Sequence, residues 1–427
     1  MAVAVFAYLI QITVPSFLLV LTPKQSPLRY LWMVCCAWIA YQCFSLLAVS
    51  SGGSMIRYTQ LQTIILAEVL KTANLLVFTP LDRSDLVSSG DIQQPDDFLA
   101  GLCASARLFF SSIGLKTPFQ IKQIPPQPPF LTQIRKGNIP RSQYMKRQLF
   151  VLWWQCLLLD IMYSLGARQA SASKAEMTGA SGPNQPSWGQ RISMSVIAWF
   201  VIARVIIDST YRLASLIAVA AGDLPESWPP FFGSMWDAYT LRKFWGTFWH
   251  QTVRWPFTSL SRFLIRDVFH LKRSLASRYI NVLIVFLLSG FIHLITDAMQ
   301  GVPPRESGAL IFFPMFTLGF MVEDAAQEVW RRISSGWKHE KPSSSSSRSH
   351  VPSSPSAAVW KRAVGFIWVV VWLSLTSPTF LLPAQELSRE NRRYIPISLV
   401  DHIGLRKAGY LLVSNAVIGG LGFGRVP

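Results

Sequence analysis

Two histidines carry the strongest hint of chemistry in this chain. His293 interrupts the apolar run "YINVLIVFLLSGFIHLITDAM" (279–299), with Asp297 one helical turn further on, and His250 follows the tryptophan pair of "FWGTFWHQTVRWP" (244–256). A neutral imidazole is suited to take a proton from a hydroxyl near neutral pH, and burial keeps it unprotonated and therefore basic. Asp297 is spaced to accept the other ring N–H of His293 and fix its tautomer. An ionisable group at bilayer depth is costly, so it marks either a function or a buried pair that locks helices together. Both readings are open for His293 and Asp297. For Asp237, His250, Gln251 and Arg254, which lie among Trp236, Trp245, Trp249 and Trp255, the competing reading is an interfacial anchor. On a helix His250 and Arg254 would share a face.

The elements that must hold these groups are membrane helices. Of 427 residues, 51% are apolar and only 15% charged, too greasy for a soluble domain of this length. Nine apolar segments reach or approach the length needed to cross a bilayer, at 2–21, 30–50, 60–79, 148–166, 193–221, 280–299, 308–328, 361–382 and 399–421. The third, with Glu68 and Lys71, and the last, with Arg406 and Lys407, are the least uniform. The opening run has neither a basic n-region nor a small-residue cleavage pattern and reads as a retained span. The expected fold is an all-α, polytopic transmembrane bundle of about eight to nine spans.

The net charge of +18 is placed between the spans, not spread as on a nucleic-acid-binding surface. Basic residues gather around Arg135–Arg147, then from Arg242 to Arg278, then from Arg331 to Arg348. All three clusters fall on one side if every segment spans, and that side is expected to be the cytosol. Such loops would also attract an anionic cosubstrate or lipid head groups. Five cysteines, four of them in apolar runs, give no metal-ligand spacing and no framework of bridges.

This divides the chain into N-terminal transmembrane helices (1–79), a cytosolic loop (80–147), a transmembrane core (148–330), a disordered Ser/Pro linker (331–358) and C-terminal transmembrane helices (359–427). Residues 167–191 read as a lumenal loop without chemistry. The stretch 222–279 is long, basic and rich in aromatics, which suits short interfacial or re-entrant helices broken at Pro229, Pro230 and Pro256. Within the spans, Glu68 and Lys71 are spaced to pair, Arg204, Asp208 and Arg212 to form a ladder, and Glu323 and Asp324 to cap a site or meet a partner helix.

"FWGTFWHQ", then a basic stretch, then an apolar helix containing "SGFIH", resembles the wax synthase-like branch of the membrane-bound O-acyltransferases. Plant wax ester synthases and fungal acetyltransferases of terpenoid and meroterpenoid pathways belong to it. The resemblance covers residues 225 to 330 and, more loosely, "LCASARLFFSSIGLKTPFQIKQIPP". It implies that the family's intramembrane histidine falls on His293, and its W-x-x-x-W plus polar residue motif on Trp245, Trp249 and His250, where many members carry asparagine. The implied activity is acyl transfer from acetyl-CoA to a hydrophobic polycyclic alcohol, with no metal and no bound prosthetic group. His293 would be the base, and His250 or Gln251 the donor to the oxyanion. Trp245, Trp249, Gln251, Arg254 and Asp237 would line the substrates. No Ser or Cys nucleophile elbow is visible, so no covalent acyl-enzyme is required. The partners are the bilayer, a greasy alcohol and acyl-CoA; nucleic acid is not among them. The expected location is the endoplasmic reticulum.

A long-chain wax or sterol ester synthase would use the same machinery. A proton-coupled transporter is the rival from another class, but the sequence has no inverted repeat and no paired Gly/Pro-broken spans. The topology makes a prediction. Cysteines engineered into 260–275 should react with an impermeant reagent from the cytosolic side of sealed microsomes, and those in 170–185 should not. Labelling of both segments from one side would remove a span between them.

Overall fold

The computed structural model describes residues 2–50, 59–90, 97–127 apart from 112, 116 and 118, 139–177, 187–339, 355–387 and 398–424. Every regular element among the described residues is a helix. The first group is α1 (Ala2–Leu21), α2 (Pro27–Ser50), α3 (Thr59–Phe78, ending in the π-helical turn Asn74–Phe78), α4 (Arg83–Ser88) and α5 (Phe98–Phe110). Next come α6 (Arg141–Met177) and α7 (Trp188–Ala220, π-helical over Ile197–Ala203). Two shorter helices follow: α8 (Leu241–Lys243, running on as the π turn Phe244–Phe248) and α9 (Arg254–Phe263, then the π turn Leu264–Val268). The chain closes with α10 (Leu275–Met299), α11 (Ala309–His339), α12 (Pro355–Leu387), α13 (Leu399–Ile403) and α14 (Leu405–Gly424).

Eight helices among the described residues are long and apolar enough to cross a membrane: α1, α2, α3, α6, α7, α10, α11 and α12. The burial pattern agrees, because large apolar side chains such as Phe6, Val34 and Ile367 face outward while Gln155, Asp208 and Thr376 are buried. The ninth apolar segment is split at Gly404, whose φ of 81° belongs to the left-handed region, and α14 restarts with Arg406 and Lys407 in its first turn.

Two packed groups hold most of the bundle, and α6 packs beside α7 with α13 and α14 against it. α1, α2, α3 and α5 enclose one core, and α7, α8, α10, α11 and α12 enclose a larger, aromatic one; α9 lies between them, against α3 and α10. Lys71 pairs with Glu68 at 2.7 Å inside the first group and also donates to the carbonyl of Phe109 on α5, so the expected ion pair forms and ties two helices. In the second group α12 approaches at its glycine: a Cβ on Gly365 would lie 2.1 Å from the carbonyl oxygen of Tyr239.

Several sequence expectations change in detail. The region read as a loop at 80–147 holds α4, α5 and the start of α6, and α11 continues to His339, into the segment read as linker. The rest of that linker, 340–354, and residues 178–186 of the supposed lumenal loop lie outside the described residues. Pro256 does not break a helix. It occupies the first turn of α9, where its missing N–H has no intrahelical acceptor to lose.

The close approach at Gly365 can be tested. Gly365→Ala should destabilise the protein by about 1–3 kcal/mol, because the backbone at Tyr239 must move to admit a methyl group. Gly409→Ala, where a Cβ meets nothing within 4 Å, should not. Melting of the two variants in detergent, followed by tryptophan emission, checks both.

Candidate active site

α10 begins at a capping box in which Ser274 and Ser277 bond each other's backbone N–H, and its apolar length then carries His293 to the second core. The His293 ring stacks on Phe313 of α11 at 4.5 Å and 10°, and meets Phe380 of α12 edge-on at 5.3 Å. Phe313 and Phe380 themselves touch at 5.4 Å. The imidazole is thus held between two helices by ring contacts, which fix its plane.

His250 reaches the same core from a different kind of element. The π turn of α8 ends at Phe248, Trp249 is extended, and the chain does not become helical again until Arg254. His250 and Arg254 therefore do not share a helical face. His250 stacks on Phe231 at 5.4 Å and meets Phe232 edge-on at 5.7 Å, and its Nδ1 is buried without a hydrogen-bond partner. Burial, reinforced by the charge of His293, pushes its pKa down to about 3, so it is neutral in any working range. A chain of rings joins the two imidazoles: Trp249 meets His250 at 5.6 Å and Trp245 at 5.6 Å, and Trp245 meets Phe313, on which His293 stacks, at 6.1 Å.

Between them lies a box of indoles and phenyl rings. Trp245 meets Phe316 at 5.0 Å and Phe286 at 5.8 Å; Trp249 stacks on Phe244 at 5.6 Å. Trp199, from the π-helical stretch of α7, touches both Trp245 and Trp249, stacks on Phe312 at 5.3 Å, and donates from Nε1 to Ser377 Oγ of α12 at 2.8 Å. π-helical turns recur at functional sites because the extra residue redirects side chains that a regular turn would place elsewhere. Here two of them, in α7 and α8, present Trp199 and Trp245 to the same space.

The other expected site residues take different positions. Gln251 Nε2 donates to the carbonyls of Trp245 (3.0 Å) and Trp249 (2.5 Å), and its Oε1 accepts from Arg254 Nη1 at 2.8 Å. Arg254 Nη1 also reaches Gln123 Oε1 at 3.1 Å and the carbonyl of Gly246 at 3.3 Å. Both side chains hold the link that carries His250, with the amide protons of Gln251 spent on backbone. Asp297 Oδ2 accepts from Ser307 Oγ at 2.7 Å, and its carbonyl accepts from Val302 N–H at 3.0 Å, which fastens the α10–α11 connection to the helix end. Asp237 stands in a separate 3-10 turn, Met235–Asp237, closed by its own N–H on the carbonyl of Ser234 at 3.1 Å.

One important residue was not placed by sequence. Glu323 of α11 is buried, and its carboxylate accepts from the backbone N–H groups of Leu241 and Arg242 (3.3 Å to the latter) and from Trp368 Nε1 of α12 at 3.0 Å. It therefore caps the N-terminus of α8, the helix that presents the tryptophan pair. Asp324 beside it takes Arg242 Nη2 at 2.7 Å, Tyr279 OH at 2.7 Å and Arg278 Nη2 at 3.3 Å. The available signal was an adjacent acidic pair ending an apolar run, and only the fold shows what it meets.

Removing that carboxylate has a definite expected effect. Glu323→Ala leaves two backbone donors and an indole N–H unpaired, each such group costing about 1–3 kcal/mol. It should lower both thermal stability and turnover, and Glu323→Gln, which keeps one acceptor oxygen, should fall between Ala and wild type. Equal melting temperatures for wild type and Glu323→Ala would remove the capping role.

Comparison with known proteins agrees with this architecture. Residues 228–315 match the model of the Membrane bound O-acyl transferase family, a segment that holds both histidines and the tryptophan pair. Acetyltransferase spyB of Aspergillus fumigatus is 37% identical over 96% of this chain and 69% of its own. Acetyltransferase atnC of an Arthrinium species is 36% identical over 93% of this chain and 91% of its own. Acetyltransferase TRI7 of Fusarium sporotrichioides is 33% identical over 98% and 93%. No solved structure matches the chain. With full-length relatives of this kind and a multi-pass helical bundle around the matched segment, the chain belongs to the membrane-bound O-acyltransferases, among fungal acetyltransferases.

Proposed function

We propose that the protein transfers the acetyl group of acetyl-CoA to a hydroxyl of a hydrophobic terpenoid or meroterpenoid, at the site formed by His293 and His250. The observation that carries this reading is the continuous ring packing that joins the two imidazoles, from His293 through Phe313, Trp245 and Trp249 to His250. His293 takes the hydroxyl proton as the alcohol oxygen attacks the thioester carbonyl. His250 donates an N–H to the oxyanion of the tetrahedral intermediate, a role that a permanently neutral imidazole can fill. Collapse expels the CoA thiolate, and the proton held on His293 passes to that sulfur. The box excludes water, which would otherwise compete as acceptor. Asp297, Gln251 and Arg254 act at one remove, through the loop and the link that they hold. We place the protein in the endoplasmic reticulum with its basic loops in the cytosol, so that the soluble donor enters from that side and the acceptor from the bilayer.

The direct test supplies microsomes carrying the protein with labelled acetyl-CoA or palmitoyl-CoA and hydroxylated terpenoids; label should enter lipid from the acetyl donor. Palmitate entering in its place would move the protein to the ester-synthase reading. The two histidines should then separate by mutation. His293→Ala and His293→Asn should each lose about 10²- to 10⁴-fold in rate, since neither side chain takes up a proton. His250→Asn keeps a donor and should retain measurable activity, while His250→Leu should lose about 10²- to 10³-fold. If His250→Asn is as inactive as His293→Asn, position 250 needs an imidazole and the two roles must be exchanged or shared.

A further inference from the structure

Arg204 lies within the membrane-spanning helix α7, directly after its π-helical stretch. The ladder expected of Arg204, Asp208 and Arg212 forms only in its second half. Asp208 Oδ2 accepts from Arg212 Nε at 2.7 Å and from Gln155 Nε2 at 2.6 Å, and Gln155 Oε1 accepts from Ser209 Oγ at 3.0 Å. Arg204 is left out: among the described residues no hydrogen bond or ion pair holds its guanidinium, and its Nε is buried without a partner. What surrounds it is aromatic. Its Cζ lies 5.8 Å from the ring centre of Phe232 and 6.0 Å from that of Phe248. Phe232 meets His250 edge-on at 5.7 Å and Trp249 at 5.3 Å, so one ring separates the guanidinium from the His250 imidazole.

A guanidinium carries five N–H donors and no acceptor. Ring faces and the Asp208 carboxylate one turn on, which bonds Arg212 instead, offset its charge only in part, and an intramembrane cation with no counter-charge in contact is a costly group for a helix to keep. Donors in such a place call for an oxygen that arrives with a ligand. The acceptor alcohol brings its hydroxyl to His293. The donor thioester brings a polar arm with two amide carbonyls: the inner one lies next to the sulfur, and the outer one lies a β-alanine unit away. The phosphates of CoA are further off still. A cation one ring beyond His250 is set for the outer amide.

We propose that Arg204 binds the acyl donor, its guanidinium donating to the outer amide carbonyl of the pantetheine arm. This rests on the acyl-CoA reading above. The experiment compares S-acetylpantetheine, which has both amides, with S-acetyl-N-acetylcysteamine, which has only the inner one, on full-length wild type and on Arg204→Met. In wild type the longer thioester should have a KM lower by tenfold or more. In Arg204→Met that gap should close, with the KM for the acceptor changed less than twofold; Arg204→Lys should keep part of the gap. Equal KM values for the two thioesters in wild type would overturn the proposal even if Arg204→Met failed to accumulate. A gap that survives in Arg204→Met, or a rise confined to the acceptor KM, would also overturn it. Failure of wild type to acetylate from any donor would instead remove the functional reading on which the proposal stands.

Discussion

Backbone that is not helical can lie at membrane depth only where the protein itself supplies partners for every N–H and C=O. The stretch that carries His250 is non-helical backbone packed inside the bundle, and the rest of the site depends on how it is satisfied. Glu323 closes the open N–H groups at the start of α8 from across the bundle, and the Gln251 amide closes the carbonyls of Trp245 and Trp249 from six and two residues away. Arg254, at the head of α9, reaches back to Gly246 and Gln251, so the link is held at three points. The histidine is placed by a satisfied backbone and by ring contacts with Phe231 and Phe232, and not by a hydrogen bond of its Nδ1, which has none.

His293 is held in the opposite way. Its backbone is that of a regular helix, and its ring position is set by Phe313 and Phe380. Face and edge contacts of this kind orient a ring while leaving its nitrogens free for a substrate. The two histidines therefore arrive by independent routes, one from a spanning helix and one from the non-helical link between α8 and α9. What unites them is the indole and phenyl packing that links α7, α8, α10, α11 and α12.

Much of this was legible in the sequence. An imidazole in a greasy run and a tryptophan pair ahead of a second imidazole are local signals, and so is the Glu68–Lys71 spacing that forms its pair. The partners of other groups were not legible. Asp297, Gln251 and Arg254 each bond a backbone or side-chain group that sequence spacing does not reveal: Ser307 ten residues on, Trp249 two back, Gln123 far upstream. Arg204 was assigned to a ladder by its spacing from Asp208, but Gln155, on another helix, competes for that carboxylate. The π-helical stretches were invisible as well, since the single extra residue that defines them leaves no mark in an apolar run.

Trp199, Trp245 and Trp249 form a closed triangle, with centre-to-centre distances of 6.0, 5.4 and 5.6 Å and their planes steeply inclined to one another. Chromophores at that spacing and inclination share their electronic transitions, so the triad should give a coupled circular-dichroism band in the far ultraviolet distinct from the signal of isolated indoles. A molecule that displaced any of the three would alter that coupling. The packed rings thus form an optical reporter, one that would register the arrival of a ligand before any bond is made or broken.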